Sequence, residues 1–151
     1  MSLDLGLFDQ TADALRALVP ADLGDLRCQA RRWGLKVWFD ADECPRQHYE
    51  AQVVGAKHVP EATVLAIEVG FHAEHPASGD NDAAFVGIRA AEPSWRTELG
   101  DDAVCGAFLG RSGWLRLSET WPDPSLEDPE LCFELADRLA AYVIAVEPLR
   151  G

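Results

Sequence analysis

The stretch Ile67-Glu68-Val69-Gly70-Phe71-His72-Ala73-Glu74-His75 holds the chain's densest set of side chains able to exchange protons or ligate a metal. At the two-residue period of a strand, Glu68, Gly70, His72 and Glu74 share one face, and Ile67, Val69 and Phe71 share the other. A carboxylate, a position with no side chain, an imidazole and a second carboxylate make a row suited to ligand binding or acid–base work. Gly70 would leave room there for a bound group. The segment from His48 to Val54 alternates in the same way, with His48, Glu50 and Gln52 opposite Tyr49, Ala51 and Val53. If the two polar faces coincide, His48, Glu50, Glu68 and His72 converge. They would then offer mixed nitrogen and oxygen donors for zinc or manganese, or a general acid–base pair. The plainer reading, and the preferred one, is a half-exposed strand face of ordinary alternation with Glu68 paired to an arginine.

Other constellations are weaker. His72-x-x-His75 and Cys44-x-x-x-His48 resemble halves of a metal site, but neither has a second tight pair at a standard distance. No metal and no cofactor are therefore expected; His48, His72 and His75 are the histidines that would serve if one were present. The loop Asp40-Ala41-Asp42-Glu43 lacks the central glycine and closing glutamate of a calcium-binding loop. Arg116 and Ser118 share a strand face with Trp114 and Thr120, an arrangement that would hold a carboxylate or phosphate on a small ligand unless Arg116 pairs with Glu68 or Glu50. Trp33, Trp38, Trp95, Trp114 and Trp121 would line an apolar pocket or, more ordinarily, fill the core. The sequence contains no phosphate-binding glycine loop, no dinucleotide fingerprint, no Gly-x-Ser-x-Gly and no His-Glu-x-x-His. No lysine follows Glu50 or Glu68 two residues on, as a nuclease-like carboxylate pair would require.

Composition narrows the partners. Thirteen Lys+Arg face 26 Asp+Glu, a formal net charge of −13. Such a chain repels polyphosphates and anionic membranes, so nucleic-acid binding is not expected. Two lysines against eleven arginines, with abundant Ala, Asp and Leu, suggest a GC-rich bacterial coding bias. No signal-peptide pattern opens the chain and no apolar run approaches the roughly 20 residues of a membrane span, so a cytoplasmic location is expected. Cys28, Cys44, Cys105 and Cys132 are irregularly spaced and expected to be free thiols.

The elements that must position these residues follow from periodicity. Phe8, Ala12, Leu15 and Leu18 recur at helical spacing over residues 8–18, and Pro20 ends that helix. Period-two segments run from Leu26 to Trp33, Leu35 to Asp40, His48 to Val54 and Thr63 to Glu74, the last apolar enough to be central. A helix is expected from an Asn81 cap to about Ala91, a second from Pro93, a turn-rich stretch from Gly100 to Gly106, and a strand from Trp114 to Trp121. A final helix should start at an Asp128 cap with Pro129 in its first turn. It carries the stripe Leu131, Leu135, Leu139, Val143 and Val146. The spacing predicts one α+β domain over residues 1–151: a mainly antiparallel sheet of about five strands with helices on one face, in the order α-β-β-β-β-α-β-α.

Three functional expectations result. The leading one is a non-catalytic module that binds a protein partner or small ligand through the polar sheet face, using His48, Glu50, Glu68, His72 and Arg116. The second is a small metal-dependent or acid–base hydrolase with Glu68, His72 and Glu50 as catalytic candidates, which requires those side chains to share a cavity. The third is a homodimer joined through the sheet face or a strand edge.

Overall fold

A computed structural model describes residues 3–150, with the side chains of residues 6–150. It is a single α+β unit of two layers. The strands are β1 (Leu26–Arg31), β2 (Gly34–Phe39), β3 (Gln47–Gly55), β4 (Leu65–Ala73), β5 (Val104–Ala107) and β6 (Leu115–Pro122). They form one sheet in the order β1-β2-β3-β4-β6-β5, and every pairing is antiparallel. Short connections between consecutive strands favour this meander. The most apolar strand, β4, lies inside the sheet as its sequence predicts.

The helices are α1 (Leu3–Arg16), α2 (Ser78–Ala84), α3 (Val86–Ala90), α4 (Glu92–Leu99) and α5 (Leu131–Val146). Phe8, Ala12 and Leu15 of α1 and the whole predicted stripe of α5 are buried against the odd-numbered residues of β3 and β4: Tyr49, Ala51, Ile67, Val69 and Phe71. Phe85, Ile88, Trp95 and Leu99 join the same core from α2–α4 and their junctions. One ion pair with a buried carboxylate joins the two layers. Glu119 on β6 accepts from Arg138 and Tyr142 of α5 and from Trp121, which ties the helix to the sheet.

Several expectations need correction. The sheet has six strands, because the region read as turn-rich contains β5. Its four residues, Val-Cys-Gly-Ala, are too short to show a period. The expected helix over 81–91 is two short helices broken at Phe85, and Asn81 does not cap it. Asn81 is buried inside α2, where it bonds both backbone groups of His75 and the Gly113 carbonyl. Leu18 lies beyond the end of α1 and is exposed. Glu130 precedes α5, although Asp128 still accepts its N–H at 2.9 Å. Trp95 is core, whereas Trp33 is exposed, so the tryptophans do not line a common pocket. All four cysteines are free. No helix of the described residues is long and apolar enough to cross a membrane.

Gly70 is needed for packing. A Cβ there would lie 2.2 Å from the Leu117 carbonyl oxygen and 2.5 Å from Ser118 Cα, both backbone atoms of β6. The space expected to admit a ligand is thus taken by the neighbouring strand. Gly70→Ala must push β6 away from β4 and is expected to destabilise the fold by roughly 3 kcal/mol or more. Chemical denaturation of the variant beside the wild type measures this.

Candidate metal centre

The polar residues of β3 and β4 do share a face, and the register sets who meets whom. His48 lies opposite His72, Glu50 opposite Gly70, and Gln52 opposite Glu68. This face is not solvated. His48, Glu50, Glu68, His72 and Glu74 are all buried, His72 completely. Two loops cover it. Phe108, from the turn between β5 and β6, sets its ring edge-on to His72 at 4.7 Å and packs in turn on Trp114. Val59, Ala62, Leu109 and neighbours form a small apolar cluster over Ala66 at the other end of β4.

Beneath this cover, four donor atoms form a closed ring. His48 Nε2 lies 3.1 Å from Glu50 Oε1 and 3.5 Å from Glu74 Oε2. His72 Nδ1 lies 3.2 Å from that same Glu50 oxygen and 3.1 Å from that same Glu74 oxygen. All four atoms stay within 4.8 Å of one another. Four donors about 2.0–2.2 Å from a tetrahedral zinc ion are about 3.3–3.6 Å apart. The ring therefore has the size of a metal's coordination shell, somewhat flattened.

The other nitrogen of each imidazole is fixed from outside the ring. His48 Nδ1 is 2.8 Å from the Pro45 carbonyl oxygen. A carbonyl only accepts, so His48 Nδ1 carries hydrogen. His72 Nε2 is 2.6 Å from Glu68 Oε2 and donates to that carboxylate, which also accepts from Gln52 at 2.9 Å. Both rings thus turn Nε2 of His48 and Nδ1 of His72 toward the same pair of carboxylate oxygens.

Electrostatics follow from this enclosure. Burial alone would lower the His48 pKa, but hydrogen bonding with Cys44, Glu50 and Glu74 outweighs it and raises the value to about 11. His72 is likewise opposed by burial yet held well above its ordinary value by Glu68, Glu50 and Glu74. Burial pushes the Glu50 carboxyl upward, but both imidazoles prevail and bring it to about 2. Glu74 and Glu68 are lowered for the same reason. Without an ion between them, the surrounding carboxylates therefore favour the protonated form of both imidazoles. Three carboxylates against the buried Arg116 leave two negative charges, which two imidazolium protons or one divalent cation would balance.

The residues singled out by sequence divide three ways. His48, Glu50 and His72 meet in the ring. Glu68 stands behind His72, and the fourth position belongs to Glu74, recognisable in sequence only as the last member of the polar row. Arg116 does not pair with Glu50 or Glu68 through a salt bridge among the described residues. It donates to Ser118 Oγ at 2.9 Å and to backbone carbonyls, with Glu68 as a nearby charge. His75 turns away from the ring to meet Gln47 at 3.0 Å. Three surface clefts, of about 710, 830 and 500 Å³, are lined by other residues. The chain matches no known protein family, no curated protein and no solved structure.

Proposed function

We propose that this domain is a non-catalytic binding module whose ligand is one divalent transition-metal ion, zinc or manganese by its donor set, held between His48, Glu50, His72 and Glu74. The reading departs from the sequence-based expectation of no metal. The carrying observation is that each imidazole anchors one nitrogen on an outside acceptor and aims the other at the same two carboxylate oxygens. Metal-ligating histidines characteristically donate their second N–H in this way.

The ring is loose enough to take an ion in place of its hydrogen bonds. Charge-assisted N–H···O bonds run about 2.7–2.9 Å. The contacts inside the ring are 3.1–3.5 Å, whereas the His72–Glu68 contact outside it is 2.6 Å. Three of the inward contacts, at 3.1–3.2 Å, are at the long end of N–H···O bonds, and the fourth, at 3.5 Å, has the separation of two atoms that share a metal. A non-catalytic role is supported by closure. Four protein donors fill a tetrahedral shell, and a catalytic site would keep one position open. Glu68 also lies in a closed contact with His72, which removes it as a free base.

Titration of metal-free protein with zinc and manganese tests this reading. The expected result is one tightly bound equivalent of at least one of them, with a rise in thermal midpoint. An unchanged midpoint at saturating concentrations of both would refute it.

A further inference from the structure

We propose that Glu68 is a positioning residue that locks His72 as an Nδ1 ligand and sets how tightly the ion is held. The inference rests on the metal-site reading above and assigns the residue that tunes that site.

Glu68 and His72 are four residues apart on one strand, which places their backbones about 13 Å from each other. Such a pair touches only if both side chains lie along the strand toward each other, across the intervening residue of the same face. That residue is Gly70, which presents no side chain. The contact is closed to 2.6 Å, with Glu68 1% exposed and His72 fully buried. Ordinary alternation gives no reason for this arrangement, since a glutamate on a half-exposed strand turns to water.

The surroundings of Glu68 are made of donors. Gln52 donates to Oε1 at 2.9 Å, and Ser118 on the neighbouring strand also favours the charged carboxylate. Ser118 Oγ itself accepts from Arg116 at 2.9 Å. A line of oriented donors thus runs from β6 and β3 onto one carboxylate of β4, which passes its charge to a single imidazole N–H. A carboxylate so placed makes Nε2 the protonated nitrogen of His72, leaves Nδ1 for the ion, and raises the basicity of that ligand. His48 has a neutral carbonyl, that of Pro45, in the equivalent place. The two histidines are therefore unequal, and the control lies on the His72 side.

The test compares zinc-loaded wild type with Glu68→Gln, which keeps size and removes the charge. Competition against a chromogenic chelator measures affinity, and long-range proton–nitrogen NMR spectra report which nitrogen of each histidine is bound. The expected result is one zinc in both proteins, an affinity about 10–100-fold lower in Glu68→Gln, and a disturbed His72 pattern with that of His48 unchanged. Equal affinity and an unaltered His72 pattern would overturn the assignment. A wild type that binds no zinc or manganese would instead overturn the metal reading itself. If Glu68→Gln does not fold, Gln52→Met carries the test, because it removes one donor to Glu68 and leaves the carboxylate. It is expected to lower affinity several-fold, and an unchanged affinity with an unaltered His72 pattern counts against the proposal.

Discussion

Replacing His72 by alanine is expected to abolish zinc or manganese binding and to destabilise the metal-free protein by about 3–5 kcal/mol. Both effects have one cause. His72 touches Glu50, Glu68 and Glu74 at once. Without the ring, three buried carboxylates keep only His48 and Arg116 as nearby cations. Removing one partner of a buried pair leaves an uncompensated charge, which costs far more than the intact pair contributes. His48→Ala removes contacts to Glu50 and Glu74 but leaves the Glu68–His72 pair, so a smaller loss of stability is expected with a similar loss of metal. Thermal and urea melts of the two variants, with and without metal, check the ranking. A His72→Ala protein as stable as the wild type would contradict the network described for β3 and β4.

The second large effect is on pH. Ligation needs each imidazole with a free lone pair, while the metal-free site favours the protonated form of both, His48 up to about 11. The ion must therefore displace these protons, and its apparent affinity should rise with pH above neutrality, by up to about 100-fold per unit while both imidazoles stay protonated. The stability of the metal-free protein runs the other way. Raised histidine values contribute stability that is complete below the unfolded value of 6.5 and fades as pH climbs through the folded ones. The lowered value of Glu50 contributes stability above 4.5 that is lost as pH falls toward about 2. Metal-free protein is thus held best by this network between about pH 4.5 and 6.5, and added metal should stabilise progressively more above that window. Isothermal titration in buffers of different ionisation enthalpy counts the protons released. A pH-independent affinity would contradict the ligand set.

Which side chains face together was legible in the sequence; which atoms meet was not. Alternation alone places His48 and Glu50 on one face of β3, and Glu68, His72 and Glu74 on one face of β4. The register sets His48 against His72, and the connection between β3 and β4 is itself held from far away in the chain. There Asp123, from beyond β6, accepts the N–H groups of Thr63 and Val64. That constraint is sixty residues away in the chain, outside the reach of local pattern. A slip of two residues would preserve both faces and dissolve the ring.

Burial of the polar face was hidden for a similar reason. Alternating polar residues ordinarily mean water, and only the fold brings Phe108 onto His72 and the Val59–Ala62 loop onto Ala66 of the same face. Glu74 is the last residue of the strand expected from Thr63. The backbone N–H of Glu74 bonds the Arg46 carbonyl, which extends the pairing just far enough to bring its carboxylate to His48. The one local hint was Gly70. A glycine between two chemically able residues of a central strand marks either a close backbone approach or a path for side chains, and here it is both.

The most direct measurement is anomalous diffraction at the zinc edge from crystals of protein loaded with one equivalent of zinc. A single strong peak is expected between β3 and β4, within about 2.0–2.2 Å of His48 Nε2, His72 Nδ1 and one oxygen each of Glu50 and Glu74. A peak elsewhere, or no peak with the His48 and His72 nitrogens still 3.1–3.5 Å from the carboxylate oxygens, would contradict it.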